Sequence, residues 1–165
     1  MINKPKKIWV ITDTHFNHPG IIEMGRPEDY QEQILYNWRV VVDDNDLVIH
    51  LGDVIFNRQT ELKGIMDSLP GTKILVRGNH DHRPSWYLNR GFTWACDAME
   101  YRGVYFTHIP SRHLPPGCEV NIHGHLHTGN HRLDEIAKRP WHIKLSLEEV
   151  GYRPILLEEA KELQW

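Results

Sequence analysis

At 165 residues, with 40% hydrophobic and 25% charged side chains, the chain has the length and balance of one soluble globular domain spanning residues 1–165. A net charge of −3 argues against extended contact with nucleic acid, which calls for a basic stripe; two cysteines without CxxC spacing, Cys96 and Cys118, exclude a zinc ribbon and read as free thiols. Behind the basic residues 1–7, the first apolar stretch runs only from Ile8 to Ile11, too short for a leader or a membrane span, so the expectation is a cytoplasmic protein.

Ile8-Trp9-Val10-Ile11 reads as a first buried strand. Residues 28–42 predict a helix, with Ile34, Leu35, Trp38, Val41 and Val42 on one face and Pro27, Glu28 and Asp29 at its start. Leu47-Val48-Ile49 is a second strand. A second helix over 58–69 carries Leu62, Ile65, Met66 and Leu69 and stops at Pro70-Gly71, before a third strand at Lys73-Ile74-Leu75-Val76. Strands alternating with helices predict a parallel sheet with right-handed crossovers. Beyond residue 90, short strand-like pieces at 101–103, 104–108, 119–123 and 143–147 predict an antiparallel meander packed with the first half, and 158–163 a last short helix.

Histidine is the compositional outlier, with 12 residues, and its placement is informative. Asp13-Thr14-His15, Gly52-Asp53, Gly78-Asn79-His80-Asp81, His108 and Gly124-His125-Leu126-His127 each directly follow an apolar, β-branched run. In an open α/β sheet the carboxyl ends of neighbouring strands converge on one crevice, so donors far apart in sequence can meet there. Asp13 and His15, like His125 and His127, are two residues apart, and on extended backbone each pair points to one side.

Asp13, His15, Asp53, Asn79, His108, His125 and His127 offer two carboxylates, one amide oxygen and four imidazoles, without a thiolate. That mixture suits Mn²⁺ first, with Fe²⁺, Zn²⁺ or Ni²⁺ as alternatives, better than Mg²⁺ or a structural zinc. Seven donors exceed the need of one ion, so two divalent ions are expected. At the ~3.5–4 Å spacing of two-metal sites, their repulsion is about 18 kcal/mol at an effective dielectric of 20. A bridging anion is required, with Asp53 the natural candidate and a hydroxide the second.

In this order, the five blocks resemble the calcineurin-like metallophosphoesterases, over nearly the whole chain, and are most similar to the small stand-alone members of bacteria and their phages. The resemblance implies an α/β fold, a four-layer αββα sandwich of two mixed sheets flanked by helices. It implies one metal on Asp13, His15, Asp53 and His127, a second on Asp53, Asn79, His108 and His125, and His80 as the catalytic residue over the substrate phosphate. The implied reaction is attack by a metal-bridged hydroxide on a small phosphate ester, a phosphodiester such as a nucleotide derivative before a monoester. The larger phosphatases of this group carry an aspartate that supports the catalytic histidine at the place of Phe56, so the partner of His80 is left open. A non-catalytic protein-interaction scaffold of the same fold, or a nuclease, are the rival readings.

Other polar residues receive plainer expectations. Asp81 reads as a helix cap or an acceptor supporting the ligands, and His50 and His123 as hydrogen-bonded strand residues. His18 and Asn17 share the loop after the first strand and are candidates to reach the site. Arg26, Arg77 and Arg83 could clamp phosphate, and Trp86, Trp94 and Trp141 could stack on a base. Glu148-Glu149 reads as a solvated face.

Overall fold

The computed structural model describes residues 6–127 and 133–163. Its elements in chain order are β1 (Ile8–Ile11), α1 (Gly20–Glu23), α2 (Tyr30–Val41), β2 (Leu47–His50), α3 (Leu62–Asp67), β3 (Thr72–Val76), α4 (Pro84–Tyr87), β4 (Trp94–Cys96), β5 (Met99–Tyr101), β6 (Val104–Thr107), β7 (Val120–His123), α5 (Asp134–Ala137), β8 (His142–Lys144), β9 (Ile155–Leu156) and α6 (Leu157–Lys161).

Two mixed sheets result, one ordered β4-β3-β2-β1-β9 and the other β5-β6-β7-β8. In the first, β1 to β4 run parallel and β9 pairs antiparallel with β1. Strand β1 shows why the layers stack as they do. All four of its residues are buried, and alternate side chains enter different cores. Ile8 and Val10 join Ile49, Leu51 and Val76 against Val104, Phe106, Ile122 and Ile143 of the second sheet. Trp9 and Ile11 join Val48 and Leu75 against Tyr30, Ile34 and Trp38 of α2 and Leu62 and Met66 of α3. A strand apolar on both faces demands a cover on each, and here one cover is helical and the other is a sheet.

The helical stripes fall where the spacing predicts, with Ile34, Trp38 and Val42 buried on the first and Leu62, Met66 and Leu69 on the second. The second begins with a 3-10 turn at Gln59–Glu61 before α3.

The meander expected beyond residue 90 is not what forms. Within the second sheet only β5 and β6 pair antiparallel, joined by the tight turn at Arg102-Gly103; β6, β7 and β8 are mutually parallel. The reason lies in the connections, since 108–119 and 124–141 are long enough to cross over and bring the chain back in the same direction. Strands β4 and β9, too short for a periodic signal, extend the first sheet at its two edges. Both cysteines are free thiols. No helix among the described residues is long and apolar enough to cross a membrane.

Candidate metal centre

Strands β1, β2 and β3 in the first sheet, and β6 and β7 in the second, end on the same side, and the turns that follow them meet. The donors do not sit on extended backbone, as the two-residue spacing had suggested. Asp13 (φ 49°), His15 (φ 46°), Asp53 (φ 53°), His125 (φ 71°) and His127 (φ 42°) all lie in the left-handed region, which is costly for a residue with a Cβ and persists where surrounding structure over-determines it. Turns made this way fold the chain back at once and put both members of each pair into the crevice.

Glycine makes the close approach possible. A Cβ on Gly78 would collide with Asp53 Oδ1 and the Asp53 backbone, and one on Gly124 with Thr12 Oγ1 and Asp13 Oδ2. Asp81 then ties the loops together. Its carboxylate accepts from the backbone N–H of Gly78 (2.8 Å), Asp53 (2.8 Å) and Val54 (3.1 Å) and from the Tyr87 hydroxyl (2.8 Å). It is a supporting acceptor, one of the two expectations for it.

Two groups of donors converge: Asp13, His15 and His127, and Asp53, His108 and His125. In the first, Asp13 Oδ1 is 3.7 Å from His15 Nε2 and 3.6 Å from His127 Nε2. In the second, His108 Nε2 is 3.4 Å from Asp53 Oδ2, 3.0 Å from Asn79 Oδ1 and 3.2 Å from His125 Nδ1. Asp53 Oδ2 also lies 3.8 Å from His15 Nε2, so it joins the two groups.

Hydrogen bonds on the outer side of the rings decide what faces inward. His127 Nδ1 pairs with Glu148 Oε1 at 3.1 Å and His108 Nδ1 with the Leu51 carbonyl at 2.7 Å. In the neutral ring the outer nitrogen therefore carries the proton, and Nε2 is left to turn a lone pair toward carboxylate or amide oxygen. Such a convergence of acceptors lacks a positive centre. Asp13 Oδ1 and His15 Nε2 are buried without a hydrogen-bond partner among the described residues. Donors about 2.1 Å from a tetrahedral ion stand about 3.4 Å from one another, which matches the spacings here. The residues present fit two divalent cations.

The electrostatics carry the same sign. Burial opposes a charge on Asp13, yet the imidazoles of His108, His15 and His127 more than offset it and hold its carboxyl well below the usual range. Asp53 is lowered likewise, burial being outweighed by His108. Burial also opposes a charge on His108, but Asp13 and Asp53 push it up to about 9. Positive charge is what this pocket stabilises.

His80 is exposed at the rim. Its backbone N–H donates to Asp53 Oδ1 at 3.0 Å, and its ring meets Phe56 edge to face at 5.8 Å. His18 reaches the cluster, its ring 5.5 Å from that of His15. Asn17 instead bonds away, to Glu61 and Gln31. His50 is held by Thr14 Oγ1 and the Gly52 N–H, and His123 Nδ1 by the Gly124 carbonyl.

Other expectations are corrected. Glu148 is not a solvated side chain: it is half-buried and accepts from His127, Arg26 (2.8 Å) and Ser146 (2.7 Å). Burial raises its carboxyl, but His127 and Arg26 reverse this and hold it well below the usual range. No local signal marks Glu148: residues 143–147 alternate apolar and polar, and β8 ends at Lys144, well before it. Arg26 is buried against Glu148 and the Thr14 carbonyl, with no free fork for phosphate, and Arg77 pairs with Asp97. Among the tryptophans, Trp86 packs on His82 and Arg90, Trp141 on His142, and Trp94 lies on β4. His131 lies outside the described residues.

Comparison with known proteins places this arrangement. Residues 6–163 match the calcineurin-like phosphoesterase family. An uncharacterized protein of Methanocaldococcus jannaschii is 31% identical over 167 aligned residues, covering 93% of this chain and 88% of that one. The Gene 66 protein of Mycobacterium phage L5 is 25% identical, covering 82% and 84%. The crystal structure of an Aquifex aeolicus protein of unknown function superposes with a TM-score of 0.75 at 29% identity, covering 96% of this chain and 99% of that one.

Proposed function

Because the chain belongs to the calcineurin-like phosphoesterase family, we propose that its two donor groups serve the hydrolysis of small phosphodiesters, nucleotide derivatives foremost, with Mn²⁺ as the working metal. Metal-dependent phosphoester hydrolysis is the chemistry of the family, and the two clusters equip this chain for it. The assignment of roles rests above all on one observation, the convergence of inward lone pairs on two centres joined by Asp53. We assign Asp13, His15, Asp53 and His127 to one ion and Asp53, Asn79, His108 and His125 to the other. Held there, divalent ions would polarise a phosphoryl group and make a water acidic enough to act as nucleophile near neutral pH.

The chain's own residues do the rest. Glu148 and the Leu51 carbonyl hold His127 and His108 in the tautomer that presents Nε2 inward, as outer hydrogen bonds do for ligating imidazoles. Asp81 fixes the backbone of the Gly52-Asp53 and Gly78-Asn79 turns against each other. His80, anchored through its backbone to Asp53 with its imidazole in solvent reach, is placed to protonate a leaving alkoxide or to hydrogen-bond the transferring phosphoryl oxygens. A complete donor set supports an enzyme over a scaffold of the same fold.

The test is release of p-nitrophenol from bis-p-nitrophenyl phosphate by chelator-treated protein, with and without Mn²⁺. Metal-stimulated release is expected; no release with any of Mn²⁺, Fe²⁺, Zn²⁺ or Ni²⁺ would overturn the reading. A screen of phosphate monoesters, diesters and nucleotides against the loaded protein then orders the substrates.

A further inference from the structure

The rim of the centre carries aromatic surface that hydrolysis alone does not require. Phe56, on the loop after β2, is 41% exposed. Its ring stacks on His18, with centroids 4.0 Å apart and planes 24° from parallel, and meets His80 edge to face at 5.8 Å. His18 lies 5.5 Å from His15, and His15 lies 6.4 Å from His80. Four rings thus form a closed circuit that links His15 of the donor cluster to the partly exposed Phe56.

Next to this platform lies a cleft of about 480 Å³ whose walls include His18, Asn17, Tyr30, Gln31, Asn57 and Arg58; its size falls within the range of small-molecule sites. The walls are braced from within, since the Asn17 backbone N–H donates to Gln31 Oε1 (2.8 Å) and Asn17 Nδ2 donates to Glu61 (3.0 Å). Nδ1 of His18 is buried without a hydrogen-bond partner among the described residues. Asn57 and Arg58 are exposed at the cleft, the latter held at φ 49°. A flat π surface flanked by amide and guanidinium groups matches a planar heteroaromatic ring, which gains from stacking on its face and from hydrogen bonds at its edge. A saturated alkyl group would gain only from burial.

We propose that Phe56 and His18 seat a nucleobase of the phosphate ester beside the metal centre, with Asn57 and Arg58 at its edge. This rests on the hydrolase reading above, and makes Phe56 and His18 the residues that favour nucleoside esters over simple alkyl esters.

The experiment titrates two ligands that have no ester bond to cleave, the phosphonate analogue of adenosine 5′-monophosphate and methylphosphonate, into Mn²⁺-loaded protein by calorimetry. Wild type should bind the nucleoside phosphonate tighter than methylphosphonate by on the order of tenfold or more, as stacking on an aromatic side chain supplies. Phe56→Ala should lose most of that ratio with methylphosphonate affinity unchanged within about twofold, and Phe56→Tyr should restore it. A melting temperature for each variant separates lost stacking from lost folding. Equal affinity of the two ligands for wild type, or an undiminished ratio in Phe56→Ala, overturns the platform while the hydrolase reading stands. Failure of both phosphonates to bind, together with no cleavage of bis-p-nitrophenyl phosphate, removes the hydrolase reading and this proposal with it.

Discussion

Glu148 Oε1 stands 3.1 Å from Nδ1 of His127, while His127 Nε2 looks across 3.6 Å to Asp13 Oδ1. The imidazole is therefore clamped between a carboxylate that takes its proton and a pocket that takes its lone pair. The His127 hydrogen bond, with Arg26 bonded to Glu148 at 2.8 Å, outweighs burial and holds that carboxyl well below the usual range.

Removing this clamp should loosen metal at the Asp13 group. Glu148→Ala is expected to weaken metal affinity by roughly 10- to 100-fold, the usual effect of losing the outer partner of a ligating histidine. Glu148→Gln, which can still accept from Nδ1, should lose less. Equilibrium dialysis with Mn²⁺ measures both; wild-type affinity in Glu148→Ala would show that His127 orients itself without help.

Asp53 faces both donor groups, so its loss should not resemble the loss of Asp13. Elemental analysis of metal-loaded protein is expected to find two ions per chain in wild type, about one in Asp13→Ala and fewer than one in Asp53→Ala, since the carboxylate that faces both groups is then lost to each of them. One full ion retained in Asp53→Ala would mean that Asp53 serves only one of the two groups.

His80 hydrogen-bonds to the centre through its backbone N–H and its imidazole belongs to neither donor group, so side-chain removal should spare metal binding. We expect His80→Ala to hold the same metal content as wild type and to lose roughly 10²- to 10⁴-fold in kcat, the range of general acid catalysis. Metal depletion in this variant would place His80 among the ligands instead.

Asp81 accepts from three buried backbone N–H groups and from Tyr87. Truncation to alanine leaves those donors without an acceptor, and unmade buried hydrogen bonds cost about 1–3 kcal/mol each. Urea unfolding of Asp81→Ala should show a loss on the order of 3 kcal/mol or more, and a loss below about 1 kcal/mol would mean that water replaces the carboxylate.

Acid should destabilise the fold partly through His50, which is fully buried. Its Nδ1 accepts from the Gly52 N–H at 3.1 Å, so the proton sits on Nε2, facing Thr14 Oγ1. Burial lowers it from 6.5 to about 4. Between those values the unfolded chain binds a proton that the folded chain refuses, so stability falls as pH falls from 6.5 toward 4, by about 1.4 kcal/mol per pH unit for this one group. Stability curves of His50→Asn should be flatter than wild type by that slope across the window; parallel curves would show that His50 titrates normally.

Much of this was legible along the chain because it is written locally. Apolar β-branched runs followed at once by Asp, Asn or His mark a strand and the turn at its end, and both signals lie within a few residues. Hence β1, β2 and β3, the stripes of α2 and α3, and all six clustered donors with Asn79 were readable from order and spacing. Glu148 falls outside that rule, since Lys144 and Ser146 interrupt the stretch before it and its strand ends at Lys144, so nothing local separates it from a surface acid.

What local pattern cannot carry is direction and company. Whether β6, β7 and β8 run parallel depends on how their long connections cross the sheet, which no single segment states. The left-handed turns at Asp13, His15, Asp53, His125 and His127 are unfavourable in isolation and exist only because packed neighbours impose them. The pairing of Glu148 with His127, and of Phe56 with His18 and His80, joins residues from separate loops. The one-dimensional pattern therefore determined which groups could hold metal and where strands would end. Only the closed tertiary structure decided which atoms face inward, because that follows from the hydrogen bonds on the far side of each ring.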